Sequence, residues 1–188
     1  MKLQRITKND ITTIYNDYMI LDFPQEELKP LAVILDLLDK DFYFAYGLYH
    51  DSKLLAYMFL CKNGDYTLLD YFAVLPAYRC HGYGSKCLEL LFEKSNETGI
   101  LLLEVEDPAF SRDSKDETIR KRRIQFYIHS GIIMSEIKVL LFGTHMNILY
   151  KPYHSIPCSE HQLQSALIDI YQIMFTPEQL KTKVLIKK

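Results

Sequence analysis

The stretch 74-VLPAYRCHGYGSKCLELLFEK-94 decides how this chain reads. It runs from an apolar strand end through a proline into Arg-x-x-Gly-x-Gly, and then into a helix-like segment. A tight turn needs one glycine, and Gly82 supplies it. A second, Gly84, suits a backbone that something bulky and anionic must approach. Amides at a helix start point outward together, and the helix dipole adds a partial positive charge there. Arg79 offers a fork of donors and Ser85 a hydroxyl, so the ligand group that fits is a phosphate or diphosphate. The plain alternative is a glycine-rich turn with no ligand. The stretch is neither a Walker A loop, since it lacks Gly-Lys-Ser/Thr, nor the dinucleotide Gly-x-Gly-x-x-Gly.

Outward from it, apolar periodicity gives the elements. "KLQRI" reads as a first strand and Thr7 to Ile20 as a helix. Residues 25–39 read as a second helix, with Pro30 as kink or boundary. "FYFAYGLYH" and "KLLAYMFLC" form a hairpin across "DS", and the turn at 63–65 leads into "YTLLDYFAVL". A helix from Gly82 to about Ser95 precedes the buried strand "GILLLEVED". A loop over 107–117 leads to a helix from Asp116 to Ser130, with Gly131 just past its end. "IIMSEIKVLLFG" and "HMNILYKPY" make a last hairpin, and Ser159 caps a helix to Phe175. In that helix Leu163, Ala166, Leu167, Ile170 and Met174 form one stripe. Core packing is its expected role, and a homodimer contact is the alternative. "KTKVLIKK" reads as a basic, solvated tail. The expected class is α/β (α+β): a mixed sheet with helices on both faces. We expect a single domain over 1–188, with 153–188 a C-terminal helical extension packed on it.

The totals narrow the function. In 188 residues, 48% are hydrophobic and 24% charged, with a net charge of −2. That balance suits a folded domain and argues against nucleic acid as a partner. No apolar run reaches the length of a membrane span, and the first residues lack the pattern of a secretory signal. Cys61, Cys80, Cys87 and Cys158 form no C-x-x-C pair, and the histidines no ligand spacing, so no metal is expected. Free thiols fit a cytoplasmic location.

The block at 74–85 resembles the acyl-CoA signature of the GNAT superfamily of N-acyltransferases, V-x-P-x-Y-R-x-x-G-x-G-S. A second block, 122-RRIQFYIHSGI-132, resembles that family's later helix, F-Y-x-x-x-G-F, with Tyr127 four residues before Gly131. In element order the likeness spans about residues 1–152. It implies a largely antiparallel sheet with a splayed central parallel pair, and acetyl-CoA as cosubstrate. It implies that the backbone of Phe72, Ala73 and Val74 pairs with the pantetheine arm. The amides of Cys80, His81, Gly82, Tyr83, Gly84 and Ser85 would hold the diphosphate, with Arg79 beside it. The thioester would enter the gap between the strands of Phe72 and Glu104. The partner implied is an amine, a small molecule or an exposed peptide amino group. Three departures stand out. Cys80 replaces a frequent glycine. Arg120 and Arg123 stand where many relatives carry asparagine and alanine, so an arginine would reach the cofactor or pair with a carboxylate. Ile132 replaces an aromatic.

N-acylation needs a neutral amine, a polarised thioester carbonyl and a protonated leaving thiolate. A phenol stays protonated at neutral pH, with a reference pKa of about 10. Tyr127 is therefore the expected acid, against the alternative of a core aromatic with a satisfied hydroxyl. The base is open. The position where some relatives carry glutamate is Leu68, which leaves Asp70 on the same strand face and Glu104 and Glu106 on another strand. Pairing of these glutamates with Arg122 or Arg123 is the structural alternative. Glu26 and Glu27 are further candidates for the amine entrance, against a plain solvated helix face. No histidine is assigned as base, nor Cys80 or Cys87 as nucleophile, so direct attack in a ternary complex is expected, with an acyl-CoA-binding regulatory module as the rival.

Overall fold

Strand β1 (Lys2–Arg5) pairs antiparallel with β2 (Tyr43–His50), and β2 with β3 (Lys53–Asn63). The computed structural model that shows this describes residues 1–25, 27–94, 99–152 and 158–187. The chain forms two compact units. Unit 1 comprises Met1–Lys62 and Leu69–Lys94, and unit 2 comprises Asn63–Leu68 and Ser95–Lys188.

Unit 1 is a meander with strand order β1-β2-β3-β4, the last strand being Tyr66–Val74. Asp51 and Ser52 turn the first hairpin with φ of 47° and 65°, the left-handed pair that a two-residue turn demands. β3 is buried from Leu55 through Cys61, which is why its sequence is an unbroken apolar run rather than an alternation. The expected first helix is α1 (Lys8–Ile14), capped by Thr7, which accepts from the Asp10 amide. It continues through a π-helical turn, Tyr15–Met19, into the short α2 (Ile20–Asp22). Its inner face, Ile11, Ile14 and Met19, is buried.

The expected helix over 25–39 is shorter. α3 spans Leu31–Asp39, and Pro30, with φ −54° and ψ 141°, lies outside it. Proline pushes the residue before it out of helical space, so Lys29 and its predecessors form a connecting segment instead. The last element of unit 1 is α4 (Tyr83–Lys94), which buries Cys87, Leu88 and Leu91.

In unit 2 the start of β4 runs beside β5 (Ile100–Glu106) as the one parallel pair, making the sheet mixed but mostly antiparallel. The Ile100 amide donates to the Asp65 carbonyl at 2.8 Å. Gly99 is required there, since a Cβ would fall 1.7 Å from the same oxygen. The order continues β5-β7-β6-β8, with β6 at Ile133–Leu141 and β7 at Thr144–Pro152. Between β5 and β6 lies α5 (Ser114–His129). It starts two residues before the expected Asp116, because Asp113 caps it by accepting from the Asp116 amide. Gly131 follows it with φ 77°.

α6 (Glu160–Met174) has the expected Ser159 cap, closed into a capping box by Gln162. The whole predicted stripe is buried. The expected solvated tail is not what the chain forms. Thr176 caps α7 (Pro177–Lys183), and β8 (Val184–Lys187) pairs antiparallel with β6, Val139 opposite Ile186. Only four residues long, β8 ends the strand order as an edge strand, and its single lysine, Lys187, helps to blunt that edge. No described helix is long and apolar enough to cross a membrane.

Candidate active site

The loop leading into α4 is built by local backbone geometry. Leu75 donates to the Leu55 carbonyl at 2.9 Å, which ends β4 against β3. A single 3-10 turn, Pro76–Tyr78, follows. Arg79 is extended, Cys80 takes φ 64° and Gly82 φ 79°. Two left-handed residues around His81 fold the chain back so that α4 can start at Tyr83. The His81 Nδ1 lies 2.6 Å from the Arg79 carbonyl, and its ring stacks on Tyr83 with centroids 6.1 Å apart.

The first helical bond of α4 runs from the Lys86 amide to the Gly82 carbonyl, 3.0 Å. The amides of Tyr83, Gly84 and Ser85 therefore lack intrahelical acceptors, as helix starts do. Those of Cys80, His81 and Gly82 likewise meet no acceptor among the described residues. A Cβ built on Gly82 would meet nothing within 4 Å. Six donors on an exposed loop at a helix start suit a diphosphate.

Arg79 is engaged with the protein. Its Nε donates to the Val74 carbonyl at 3.0 Å and its Nη2 to Asp22 Oδ1 at 2.7 Å. The other Asp22 oxygen accepts from the Tyr57 hydroxyl at 2.7 Å. Burial, reinforced by that bond to Asp22, pushes the Tyr57 phenol far above its ordinary pKa and keeps it a donor. Phe72, Ala73 and Val74 form the half-buried end of β4.

On the same strand Asp70 is almost buried, and Lys29 Nζ reaches both its oxygens at 2.9 and 2.8 Å. The Tyr43 hydroxyl donates to it as well. Tyr71, next in sequence, accepts from the Lys29 amide at 2.9 Å and donates to the Glu27 carbonyl at 2.8 Å. Residues 27–29 are thus fastened to β4 by main chain and side chain together. Glu26 lies outside the described residues, as does His154.

The remaining predicted residues belong to unit 2. Tyr127 is 8% exposed, on α5, and its hydroxyl has no hydrogen-bond partner among the described residues. Burial pushes its phenol up to about 12. Glu104 on β5 accepts from the Tyr171 hydroxyl of α6. Glu106, two residues on, pairs with Arg123 and lies 3.5 Å from Arg120. Arg120 is 6% exposed and also holds the carbonyls of Asp107 and Phe110 at 3.1 and 3.4 Å and the Asp116 carboxylate at 3.0 Å. Among the departures noted in the sequence, both arginines therefore pair with carboxylates, and Arg120 ties down the β5–α5 connection. Lys138, 3.0 Å from Asp107, helps draw that carboxyl below its usual range, as does the Ala109 amide, against the opposing effect of burial. Among the described residues no group of three His, Cys, Asp or Glu gathers as a metal site would need.

Asp22, Tyr57 and Lys29 are the participants that the sequence did not point to. Asp22 precedes its partner Arg79 by 57 positions, and no local spacing links them.

The sequence model of the acetyltransferase (GNAT) family matches residues 8–111. No curated protein is significantly similar in sequence. Among solved structures, a GNAT-family chain from Bacteroides thetaiotaomicron superposes with a TM-score of 0.74 at 22% identity, covering 92% of this chain and 97% of that one. The ribosomal-protein-S18-alanine N-acetyltransferase of Escherichia coli gives 0.62 at 18%, covering 85% and 97%. An aminoglycoside 6'-N-acetyltransferase, solved with coenzyme A, gives 0.60 at 12%, covering 84% and 100%. At these identities the likeness is one of fold.

Proposed function

This chain belongs to the acetyltransferase (GNAT) family, and on that premise we propose that it moves an acetyl group from acetyl-CoA to an amine, by direct attack in a ternary complex. The observation that carries this reading is the loop at 80–85, whose six backbone amides have no protein acceptor among the described residues. Those amides would hold the diphosphate, and the half-buried backbone of Phe72, Ala73 and Val74 would receive the pantetheine arm. Acetyl-CoA supplies the activated acyl group and the leaving thiolate.

Tyr127 is the proposed acid, delivering the proton of its Oη to the departing sulfur. Its raised pKa keeps that proton in place throughout the neutral range. A carboxylate, Asp70, Glu104 or Glu106, would take the amine's proton directly or through water. Each already accepts from a protein donor, so it would have to share that donor or exchange it. The acceptor is a small-molecule amine or an exposed amino group.

That engagement of all three carboxylates favours one second reading, an acyl-CoA-binding module without turnover. One experiment separates the readings. Thermal melts with acetyl-CoA, CoA and ATP come first, on the wild type and on Gly82→Val. A side chain branched at Cβ is strained at the φ of 79° that Gly82 holds. Ligand at a hundredfold its Kd stabilises by about 2.7 kcal/mol, which for this size is a rise of roughly 5–10 °C. The rise is expected with both CoA species, absent with ATP and lost in the variant. Absence with both CoA species overturns the cofactor assignment. Tyr127→Phe is then assayed on a panel of amines. An enzyme loses turnover by roughly a hundredfold or more while its CoA affinity holds, whereas a binding module shows no turnover in either form.

A further inference from the structure

Asp22 carries a buried negative charge, its side chain 6% exposed, 2.7 Å from the guanidinium of Arg79, the residue before a loop that the proposed function assigns to an anion. A carboxylate in that place repels a diphosphate unless it does something more useful. Its contacts show what. One oxygen takes Arg79 Nη2 at 2.7 Å and the other the Tyr57 hydroxyl at 2.7 Å, while Arg79 Nε is spent on the Val74 carbonyl at 3.0 Å. The guanidinium is thereby neutralised and stretched between the end of α2 and the end of β4. Its own backbone is the residue before Cys80, where the chain enters the left-handed turn.

We propose that Asp22 is the positioning residue of the diphosphate loop: by holding Arg79 against the end of β4 it fixes the path of residues 79–82 and presents the amides of Cys80 to Ser85 already oriented. The inference rests on the reading of this loop as a coenzyme A site. It reverses the role that the sequence suggests for Arg79. The arginine is a strut, its charge cancelled by Asp22, and the anion is met by main-chain amides and the dipole of α4. Tyr57 completes the support, fixing the carboxylate from β3.

The sign of one substitution separates this from simple electrostatics. Removing a negative charge beside an anion site should tighten binding through space. If Asp22 acts through Arg79, Asp22→Asn weakens it instead. CoA titrations by calorimetry at several salt concentrations, on the wild type, Asp22→Asn, Arg79→Gln and the double variant, read the difference. Each single variant is expected to weaken CoA by about tenfold. The double variant removes a neutral pair, so it should be no weaker than either single one and should keep the salt dependence of the wild type.

Tighter binding by Asp22→Asn, multiplying single effects, or a flatter salt dependence in the double variant overturns the proposal while the coenzyme A site stands. A wild type that does not bind CoA removes the site and the proposal with it. Tyr57→Phe guards against misfolding of the charge variants, since it keeps both charges and removes one bond to Asp22. It is expected to weaken CoA by about twofold or more, and unchanged affinity in a folded Tyr57→Phe counts against the proposal.

Discussion

Cys80 holds φ at 64° with an exposed side chain in the middle of the loop. A left-handed conformation costs a residue with a Cβ about 1–2 kcal/mol, and glycine adopts it freely. Cys80→Gly removes that cost but adds conformational freedom to the unfolded chain, so a net gain of about 0.5–1 kcal/mol is expected. A melting temperature raised by roughly 1–4 °C checks it, with CoA affinity retained. A lower melting temperature would mean that the thiol makes a stabilising contact. At this scale the sequence was informative where neighbours in sequence act together. Arg79, Gly82, Gly84 and Ser85 carry their meaning in their spacing. The partners of Asp22 and Asp70 do not, because Arg79 lies 57 positions from Asp22 and Lys29 41 from Asp70. Nothing local records such pairs, while the pairing of Glu106 with Arg123 was one of the alternatives that the sequence left open.

Among the elements, β8 is the one whose loss is easiest to measure. Val184 and Ile186 are half-buried, and both line a cavity of about 220 Å³ with Ile168, Tyr171, Gln172 and Leu180. Removing two half-buried aliphatic side chains costs about 2–3 kcal/mol in burial. It also bares the edge of β6, an unpaired strand that can recruit another chain. Truncation after Lys183 is therefore expected to lower the denaturation midpoint and to produce concentration-dependent association, read by urea titration and light scattering. An unchanged midpoint would make β8 an ornament. The longer elements were plain in sequence because period and caps agree, as in α6 with Ser159 and Gln162. β8 and the span before Pro30 were not. Four residues are too few to show a period, and a proline marks a boundary without saying on which side the helix lies.

For the molecule as a whole, buried phenols and thiols set the alkaline limit. Burial raises Tyr43, Tyr57, Tyr71 and Tyr127 above the tyrosine norm, and lifts Cys61 and Cys87 to about 12. The folded chain thus keeps protons that the unfolded chain releases, the thiols from about pH 8.5 and the phenols from about pH 10. Between those values and the folded ones the native state binds more protons, so stability falls as pH rises. Each such group contributes a slope of about 1.4 kcal/mol per pH unit. Urea titrations from pH 7 to 11.5 should show a plateau, then a decline that steepens past about pH 10; a flat profile would contradict the burial.

The π-helical turn at Tyr15–Met19 has a consequence of another kind, for which lengths of chain are tolerated. A π turn carries one residue more than the α turn it replaces. Excising one exposed residue from it, such as Asn16, would restore a regular helix with little loss of apolar contact. The residues after the cut would keep their helical face, because the wide turn had already absorbed the extra residue. Asp22 would stay with Arg79 and Tyr57, whereas the same cut in the regular turns of α1 would carry it roughly 100° round the helix axis and away from both.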